Sequence, residues 1–591
     1  MAKGTIGIPP APGGKMRNYT PSALAGQRIP NRFDGVAILL VMGLLVGLVE
    51  VGHSTIGIPI AAIQNTSIHL DPSYLPYYAL RSTARMFAAL LFSLIFTFTY
   101  ATLAAKSRHA AKLLVPVLDI LQSVPILGFL TFTTVFFLHL FPGQVMGAEL
   151  ASIFAIFTSQ AWNMAFSFYQ SLTTLPEDLN EAARSFRLSP WQRFWKLDVP
   201  FAMPGLVWNT MLSMSGGWFF VVASEAVTVG NTTFTLPGIG SYVAVALAKE
   251  DLSAIFYAIL AMLVVILLYD QLLFRPLVAW SGKFRFETTA TINGPEPWML
   301  KLLRRTAVFR SICESIGDFF AAIFRLRLSV RVQAAPSAGF RKQSLIIDGL
   351  WYLCIAALAI YAGWAIFSYV SATLHWHELG VALLMGCYTM VRVIILMIIA
   401  ALVWVPIGVW IGLRPKATRI AQPIAQFLAA FPANLLFPPF VVVIVAFHLS
   451  PDIWLTPLML IGTQWYILFN VIAGAAAFPG DMKEAVANFR VKGFLWWRKV
   501  MIPGILPYFI TGAITASGGA WNASIVAEVA SWGKNNLAAH GLGAYIANAT
   551  NDGNTPRVVL GVAVMSGFVI LFNRILWRPL YAYATRRTTL G

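Results

Sequence analysis

Charged residues and cysteines are both scarce in this chain of 591 residues. Asp, Glu, Lys and Arg together make up only 11% of it, and 58% of the residues are hydrophobic; a soluble protein is about 25% charged. So few charges cannot cover the surface of a water-soluble protein of this size, and the composition predicts a polytopic membrane protein. The three cysteines, Cys313, Cys354 and Cys387, are odd in number and scattered, which excludes a disulfide framework and gives no metal-ligand spacing.

Motifs for nucleotide hydrolysis and metal binding are also missing from the sequence. A phosphate-binding loop requires the pattern G-x-x-x-x-G-K-[ST], and the nearest string, which runs from Gly47 to Ser54, has no lysine. His, Glu and Cys residues do not cluster at metal-ligand spacing, and no Ser/His/Asp set can be recognised. We therefore expect no catalytic residue, no metal site and no cofactor in this chain.

Long hydrophobic runs dominate what is present. We predict an all-α membrane fold with twelve spans of about 20 residues, the length that crosses a bilayer. The spans lie near 36–53, 77–104, 113–140, 149–170, 202–226, 254–276, 345–370, 380–411, 420–447, 454–476, 504–529 and 557–577. The third and the ninth each contain or adjoin a proline.

Basic residues are concentrated in alternate loops and at both termini, as in 106–112, 184–196, 414–419 and 490–499. The positive-inside rule therefore places both termini in the cytoplasm. The net charge of +18 is compatible with nucleic-acid binding, but this distribution favours loops that face anionic lipid. We expect the lipid bilayer, and no nucleic acid, as a partner.

The boundaries of the predicted domains follow from the spans. We expect a cytoplasmic tail (1–32), a first half (33–280), a polar linker (281–344), a second half (345–582) and a short cytoplasmic tail (583–591). Within the linker, apolar residues recur at helical spacing beside a face of arginines. This pattern is typical of a basic amphipathic helix that lies on the inner leaflet, although a regulatory surface is the alternative.

The second half of the chain repeats the first. With a shift of 303 residues, Trp218 falls on Trp521 and Glu225 on Glu528; upstream, the shift is 307 and Arg85 falls on Arg392. Six spans per half is an even number, so both halves enter the membrane from the same side and the repeat is parallel. We therefore expect a pseudo-twofold pair of six-helix bundles, with a pathway at their interface.

The inner loop after the fourth span is the most informative part of the repeat. It reads LPEDLNEAARSFRLSPWQRFWKLDVPFAMPG in the first half and FPGDMKEAVANFRVKGFLWWRKVMIPGILPY in the second. Asp178 and Asp481 follow a proline, which is typical of the first turn of a helix. Apolar residues at i, i+4, i+7 and i+11 then predict a short amphipathic helix. A second helix with paired tryptophans follows, and prolines mark the entry to the next span.

This loop resembles the EAA loop of ABC importer permeases, in which a coupling helix docks into a groove of the ATPase subunit. Glu181-Ala182-Ala183 and Glu484-Ala485 match the motif, with Pro200 and Pro503 as its closing prolines. The glycine usual in the family, which follows the triplet after three intervening residues, is replaced by Arg187 and Arg490. The resemblance implies that coupling involves Asp178, Glu181, Ala182, Ala183, Phe186 and Arg187, and Asp481, Glu484, Ala485, Phe489 and Arg490.

A finer resemblance is to the nitrate, taurine, sulfonate and bicarbonate permeases. It rests on Arg85 and Arg392, on Trp218 and Glu225 before a Gly-Ile-Gly-Ser-Tyr segment, and on their copies, and it covers about 75–285 and 382–585. That subfamily commonly uses two separate permeases, whereas both halves share one chain here. The resemblance implies a bacterial inner-membrane protein, two ATP-binding subunits that carry ATP and Mg²⁺, an extracytoplasmic solute-binding protein and a small anion as solute.

Ionisable groups inside the membrane are candidates for function. Arg85 and Glu225, like Arg392 and Glu528, would either pair and hold helices together or line the pathway. The Gly-rich segments after the glutamates fit loops that dip back toward a cavity. Our candidates for the pathway are Arg85, Trp162, Ser215, Trp218, Glu225, Arg392, Trp465, Trp521, Asn522 and Glu528.

Three functions remain open at this point. The first is the membrane subunit of an ATP-driven importer. The second is an ion-coupled secondary transporter with six plus six spans, in which Glu225, Glu528 and the arginines would relay protons. The third is a membrane-embedded enzyme, which should show a polar catalytic cluster that we do not find. The duplicated inner loop favours the importer, because a secondary transporter gives that loop no role.

Overall fold

The computed structural model describes residues 68–123, 125–229, 232–284, 341–476, 478, 480–532 and 535–588, together with five isolated positions between 285 and 340. These seven ranges belong to one compact unit of the chain. The predicted first span (36–53) and the amphipathic helix of the linker lie outside the described residues.

The described part of the first half contains eight helices and one β-hairpin. They are α1 (Pro72–Lys106), α2 (Arg108–Ser123), α3 (Ile126–Leu140), α4 (Val145–Thr173), α5 (Glu177–Ser185), α6 (Pro190–Glu225), β1 (Ala226–Val229), β2 (Thr232–Thr235), α7 (Ile239–Ala248) and α8 (Leu252–Phe284).

The second half repeats this order after one additional helix. Its elements are α9 (Arg341–Ser371), α10 (Trp376–Gly412), α11 (Pro415–Ala430), α12 (Ala433–Ala446), α13 (Pro451–Ile461), α14 (Gln464–Ala476), α15 (Gly480–Asn488), α16 (Gly493–Ala527), β3 (Val529–Trp532), β4 (Asn535–Ala538), α17 (Leu542–Asn551) and α18 (Thr555–Tyr581, with helical residues on to Thr588). The two halves therefore have one architecture, as the repeat predicts.

Six of the described helices are long and apolar enough to cross a membrane: α1, α6, α8, α10, α16 and α18. A seventh span results when α13 and α14, which are bent by 45°, are counted together. The third and ninth predicted spans are broken helices and not continuous ones. The breaks lie at Pro125 and Pro432, which have extended backbones and directly precede α3 and α12, since proline ends the helix that precedes it.

The predicted separate helix with the tryptophans is wrong in both halves. The segments 190–193 and 493–496 continue through π-helical turns, Phe194–Asp198 and Trp497–Met501, into α6 and α16. Pro200 and Pro503 lie just after these turns. A π turn shifts the hydrogen-bond register of a helix, and this position accommodates a residue without an N–H. The fifth and eleventh spans are therefore longer than expected.

The Gly-rich segments form hairpins and short helices and not loops toward a cavity. In the first half, β1 pairs with β2 in an antiparallel register from Ala226↔Thr235 to Val229↔Thr232. The copy, β3 with β4, runs from Val529↔Ala538 to Trp532↔Asn535. The hairpins satisfy their own backbone groups, and each is followed by a short helix, α7 or α17.

The two ends of the bundle are distinct. We call the end that carries the β-hairpins the hairpin end, and the opposite end, with α5 and α15, the short-helix end. Each half has its own apolar core, built around Trp218 in the first and Trp521 in the second, both of which are buried. Side chains on the outer surface, such as Leu91, Ile95 and Leu402, are exposed and apolar, as expected of helices that face lipid.

Candidate functional site: a cavity between the halves and two exposed short helices

A cavity of about 190 Å³ lies between the two halves. Both halves contribute to its wall through α2, α3, α4 and α6, and through α11 to α14, α16 and α18. Its polar lining consists of hydroxyl and amide groups. These are carried by Gln122, Thr158, Ser159, Asn163, Ser213, Ser215, Thr463, Tyr466, Thr515, Ser517, Asn522 and Asn573.

The described residues that line the cavity include no charged side chain. Three of them, Trp162, Ser213 and Trp521, have a buried polar side-chain atom with no hydrogen-bond partner among the described residues. Buried polar groups normally have a partner. The helical segments that begin at Ile126 and Ala433, just after the two proline breaks, also reach the cavity, and a helix N-terminus carries a partial positive charge. The wall therefore presents neutral hydroxyl and amide groups and two weakly positive helix ends.

Hydrogen bonds join the halves beside this cavity. The backbone N–H of Ile126 donates to Asn522 Oδ1 at 2.6 Å, so a side chain of the second half caps α3 of the first. At the position related by the repeat, Asn434 Nδ2 donates to the carbonyl oxygen of Phe219 at 3.3 Å. A Cβ at Gly216 would lie 2.7 Å from the hydroxyl of Tyr466, so only glycine permits that close approach of the halves.

Four of the ten pathway candidates line the cavity: Trp162, Ser215, Trp521 and Asn522. The other six lie elsewhere. Trp465 packs against Trp404 with ring centroids 5.2 Å apart, and Trp218 is buried in the core of the first half. Arg85, Glu225, Arg392 and Glu528 form ion pairs toward the hairpin end, which is the structural one of the two roles considered for them.

In the first half, two arginines of α1 hold two carboxylates. Arg85 forms a bidentate pair with Glu149 of α4 and a 2.6 Å bond with Glu225 of α6, and Arg81 contacts Glu149 at 2.7 Å. Glu225 also accepts from Ser82 Oγ and from the backbone N–H of Gly240, both at 2.6 Å. The carboxylate of Glu225 thus caps the N-terminus of α7, where a negative charge is favourable.

The second half contains the same arrangement. Arg392 contacts Glu528 at 3.1 Å and Asp452 at 3.0 Å, and Thr389 donates to Glu528 at 2.8 Å. Glu528 accepts from the backbone N–H of Ala544 at 3.1 Å and so caps α17. Asp452 is the residue that the 303-residue shift matches to Glu149.

Steric constraints explain the glycines that follow the hairpins. A Cβ at Gly238 would collide with the Glu225 carboxylate, and a Cβ at Gly541 would collide with that of Glu528. These two glycines allow the start of α7 and α17 to approach the buried carboxylate closely. The repeated Gly-x-Gly pattern therefore serves the ion-pair cluster.

The predicted coupling helices exist as α5 and α15 and are largely exposed. In α5 and its C-terminal turn, Asp178, Glu181, Ala182, Phe186 and Arg187 are exposed, and Ala183 is buried. In the second copy, Glu484, Ala485, Phe489 and Arg490 are exposed, whereas the side chain of Asp481 lies outside the described residues. Phe186 and Phe489 are 78% and 82% exposed. An apolar side chain this open at the same place in both halves is typical of an interaction surface.

The short helices α5 and α15 end in the same turn. Arg187 and Arg490 have left-handed backbones, with φ of 47° and 50°. The next residue, Leu188 or Val491, donates its N–H back to the carbonyl of Ala183 or Val486 at 3.2 Å. This is the usual C-terminal closure of a helix, in which glycine is the favoured residue. The turn that the family builds with glycine is therefore kept here, with arginine in its place.

Several partners in these sites were not expected from the sequence: Glu149, Asp452, Ser82, Thr389 and His540. For Glu149 and Asp452, the sequence did contain an indication. An acidic residue is rare within a membrane span, and the 303-residue shift carries Glu149 onto another acid, Asp452. His540 contacts Asp452 through its ring Nδ1 at 3.0 Å and its backbone N–H at 2.7 Å, and gave no comparable signal.

Comparison with known proteins agrees with this duplicated architecture. The family described as "Binding-protein-dependent transport system inner membrane component" matches twice, over residues 97–274 and 404–582. The chain belongs to this family. Each match covers the helix before the short helix, the short helix itself (α5 or α15) and the long helix after it, so the family repeat is the structural repeat.

Individual relatives are similar over one repeat. The bicarbonate transport system permease protein CmpB of Synechococcus elongatus is 28% identical over 176 residues, which are 30% of this chain and 60% of the relative. The nitrate import permease protein NrtB of Leptolyngbya laminosa is 26% identical over 184 residues, 31% of this chain and 62% of the relative. The glycine betaine/proline betaine permease ProW of Escherichia coli is 31% identical over 166 residues, 27% and 44%. The alignments thus span less than two thirds of these relatives.

Proposed function

We propose that this chain carries both transmembrane permease halves of an ABC importer, fused into one polypeptide. The observation that carries the proposal is the duplicated short helix. α5 and α15 lie at one end of the bundle, end in the same left-handed turn and leave Phe186 and Phe489 open to solvent. Two equal exposed helices in one chain fit two copies of a soluble partner.

The partners follow from this arrangement. Two ATP-binding subunits, which carry ATP and Mg²⁺, dock on α5 and α15 from the cytoplasm, and the chain itself does not hydrolyse ATP. The short-helix end and both termini are cytoplasmic, in the inner membrane of a bacterium. An extracytoplasmic binding protein delivers the solute at the hairpin end. The basic residues near the short-helix end, such as Lys196 and Lys499, support this orientation.

The cavity is the translocation site in this proposal. It lies where the halves meet, so a relative movement of the halves opens it to one side or to the other. The bond between Ile126 and Asn522 crosses the interface beside the cavity, and it must break or shift when the halves move. Closure of the ATPase subunits would drive α5 and α15 and thereby rock the two bundles.

A small anion is the solute that we propose. The lining offers neutral hydroxyl and amide groups and two helix N-termini, and it has no acidic side chain among the described residues. Neutral donors and helix ends stabilise a small anion without binding it too tightly to be released. The named relatives for bicarbonate and nitrate agree with this choice, whereas the betaine relative makes a zwitterion the main competitor.

The ion-coupled alternative has less support. It would use Glu225 and Glu528 as proton relays, yet each carboxylate is buried, tied to an arginine and committed to capping a short helix. Neither residue lines the cavity. A relay needs a path between the carboxylate and the solute, and these contacts favour a structural role instead.

The test is isolation of the chain from its native membrane in mild detergent, with identification of the proteins that accompany it. We expect an ATPase subunit at about two per chain, and its loss in the double variant Glu181→Lys/Glu484→Lys, because the charge reversals fall on both docking helices. The matched control is Glu250→Lys/Asp552→Lys, which reverses two exposed acids at the hairpin end. The control should retain the ATPase.

Two results would reject the proposal. One is a wild-type chain that is isolated without an ATPase subunit and still moves solute on an ion gradient. The other is an ATPase that leaves equally in the control and in the docking variant. For the solute, uptake of labelled bicarbonate, nitrate and a small alkyl sulfonate is compared with that of glycine betaine; betaine uptake alone would contradict the anion.

A further inference from the structure

A chain of polar contacts fastens the first short helix to the long helices of its half. Asn180 of α5 accepts a 2.6 Å bond from Arg193 at the start of α6. Arg193 contacts Asp198, one turn further along α6, at 3.4 Å, and Lys106 at the end of α1 contacts Asp198 at 2.8 Å. Asp198 is only 1% exposed, and a buried carboxylate needs such partners to be stable.

The second half has apolar residues at the same places. The repeat carries Lys106 to Leu413, Arg193 to Trp496 and Asp198 to Met501. All three belong to one apolar cluster, in which Met501 is buried and Leu413 and Trp496 are partly buried. The charged contacts of Lys106, Arg193 and Asp198 are therefore replaced in the second half by apolar packing of Leu413, Trp496 and Met501, which has no preferred direction, whereas charge-assisted bonds do.

In the first half, ion pairs also join α1 to α6 at two places, one toward each end of the two helices. Lys106 and Asp198 join α1 to α6 at the short-helix end, and Arg85 and Glu225 join them toward the hairpin end. The two contacts are separated by 21 residues along α1, or about 30 Å at about 1.5 Å per residue. In the second half, the described ion pairs between α10 and the end of α16 are limited to the one between Arg392 and Glu528, to which Thr389 also donates a hydrogen bond.

We propose that Asp198 is a positioning residue that makes α5, α1 and α6 one rigid unit, so that the two halves respond unequally to the docked partner. The unit of the first half moves as a body. The second half deforms between α15, α10 and α16, and the 45° bend between α13 and α14 lies in this less constrained half. The functional consequence rests on the proposed coupling to an ATPase, but the rigidity does not.

Spin labels measure this rigidity directly. In a chain with its three native cysteines replaced by serine, one pair of labels is placed at Leu103→Cys on α1 and Ser185→Cys on α5. The repeat supplies the matched pair in the second half, Trp410→Cys and Asn488→Cys. The distance distribution of each pair is recorded for the chain alone, which requires no partner and no solute.

We expect a narrow distribution for the first pair and a broad one for the second. The triple variant Lys106→Leu/Arg193→Trp/Asp198→Met, which installs the residues of the second half, should broaden the first pair to the width of the second. Lys106→Leu alone should broaden it partly, and Lys106→Arg should leave it narrow because the ion pair persists. Since Lys106 is 39% exposed, these single variants test the inference even where the triple variant does not fold.

The same labels are then examined with the ATPase subunit, ATP and vanadate. The first pair should keep its distance while the second pair shifts. If the ATPase binds but both pairs are equally broad, or shift equally, this inference is wrong and the proposed function stands. If no ATPase binds and the first pair is still narrow, the proposed function fails and the rigid unit stands.

Discussion

The ion-pair cluster at the hairpin end occurs twice, and its two copies differ in how much of each charged side chain is exposed to solvent. In the first half, two arginines face two carboxylates, and Arg81, Arg85, Glu149 and Glu225 are each no more than 5% exposed. In the second half, Arg392 alone serves two carboxylates; Asp452 is 43% exposed, and His540 is 71% exposed. Tyr388 stands where the first half has Arg81, and His540 where it has Pro237.

This difference separates what the fold requires from what has diverged. Both copies keep an arginine, a glutamate, a hydroxyl and the glycine that lets the short helix start on the carboxylate. These shared parts close the junction between hairpin, short helix and span, and we expect them to be needed in each half. The second acid and its partners differ, since Glu149 is buried under two guanidinium groups while Asp452 reaches solvent.

The largest effect should come from removing the arginines. Arg85→Met leaves two buried carboxylates with Arg81 as their nearest cation, and breaking a buried pair costs about 3–5 kcal/mol of unfolding free energy. Arg392→Met should cost less, because Asp452 is partly hydrated. Thermal unfolding in detergent measures both. Arg275→Met, whose pair with Asp270 is 42% exposed on the arginine side, is the control and should cost under about 1 kcal/mol. If Arg85→Met and Arg392→Met lower the unfolding free energy equally, the two clusters do not differ in stability as we expect.

The second-largest loss of stability is expected at two glycines, and it should be the same in both halves. Gly238→Ala and Gly541→Ala each place a Cβ on the buried carboxylate, and such overpacking costs about 1–3 kcal/mol. Unfolding temperature is the readout. Gly567→Ala in α18, where a Cβ meets nothing within 4 Å, is the control and should be neutral or slightly stabilising. If Gly238→Ala lowers the unfolding temperature and Gly541→Ala does not, the capping of α17 by Glu528 is not needed for stability.

A smaller gain is expected at the coupling helices. Arg187→Gly and Arg490→Gly relieve a left-handed backbone, which costs a side-chain-bearing residue about 1–2 kcal/mol, less the extra entropy of glycine in the unfolded chain. Each variant should therefore gain up to about 1 kcal/mol, and equally, because the two turns have matching geometry. Unequal changes would mean that one arginine makes a stabilising contact that the other lacks.

The smallest effect concerns His540. Its pair with Asp452 is exposed, so His540→Ala should cost under about 1 kcal/mol of global stability. The local consequence is sharper. Asp452→Ala removes the acceptor of the His540 backbone N–H, and amide hydrogen exchange at 540 should accelerate while exchange in α7 stays unchanged. Unchanged exchange at 540 would show that Asp452 does not hold the turn before α17.

Much of this arrangement is predictable from the sequence because of the repeat. The two coupling helices follow from the spacing of proline, acid and alanine, and the pairing of Arg85 with Glu225 was one of two alternatives. The prediction did not extend to Glu149, which lies at the edge of the fourth predicted span, where membrane and loop are hard to distinguish. The network around Asp198 depends on a π turn that brings a loop acid into contact with α1, and a periodicity of 3.6 residues does not reveal such a turn.

The hairpins and the broken spans were missed for a different reason. The segment 226–235 is short, with four threonines and two valines, and a run of this length does not distinguish a hairpin from a loop by hydrophobic periodicity. Pro125 and Pro432 mark the breaks in the sequence, yet proline is also tolerated within membrane helices. Only the contacts of α3 and of the segment at Ala433 with the cavity show why the helices are interrupted.

The central claim is that the two halves together form an ATP-driven pathway. The most direct measurement is uptake of labelled nitrate and bicarbonate into liposomes that contain the chain and are supplied with its extracytoplasmic binding protein, with and without the ATPase subunit and ATP. We expect uptake only when the ATPase subunit and ATP are both present, and its loss in Glu181→Lys/Glu484→Lys. Uptake by the chain alone on a proton gradient, abolished by Glu225→Gln or Glu528→Gln, would contradict the account.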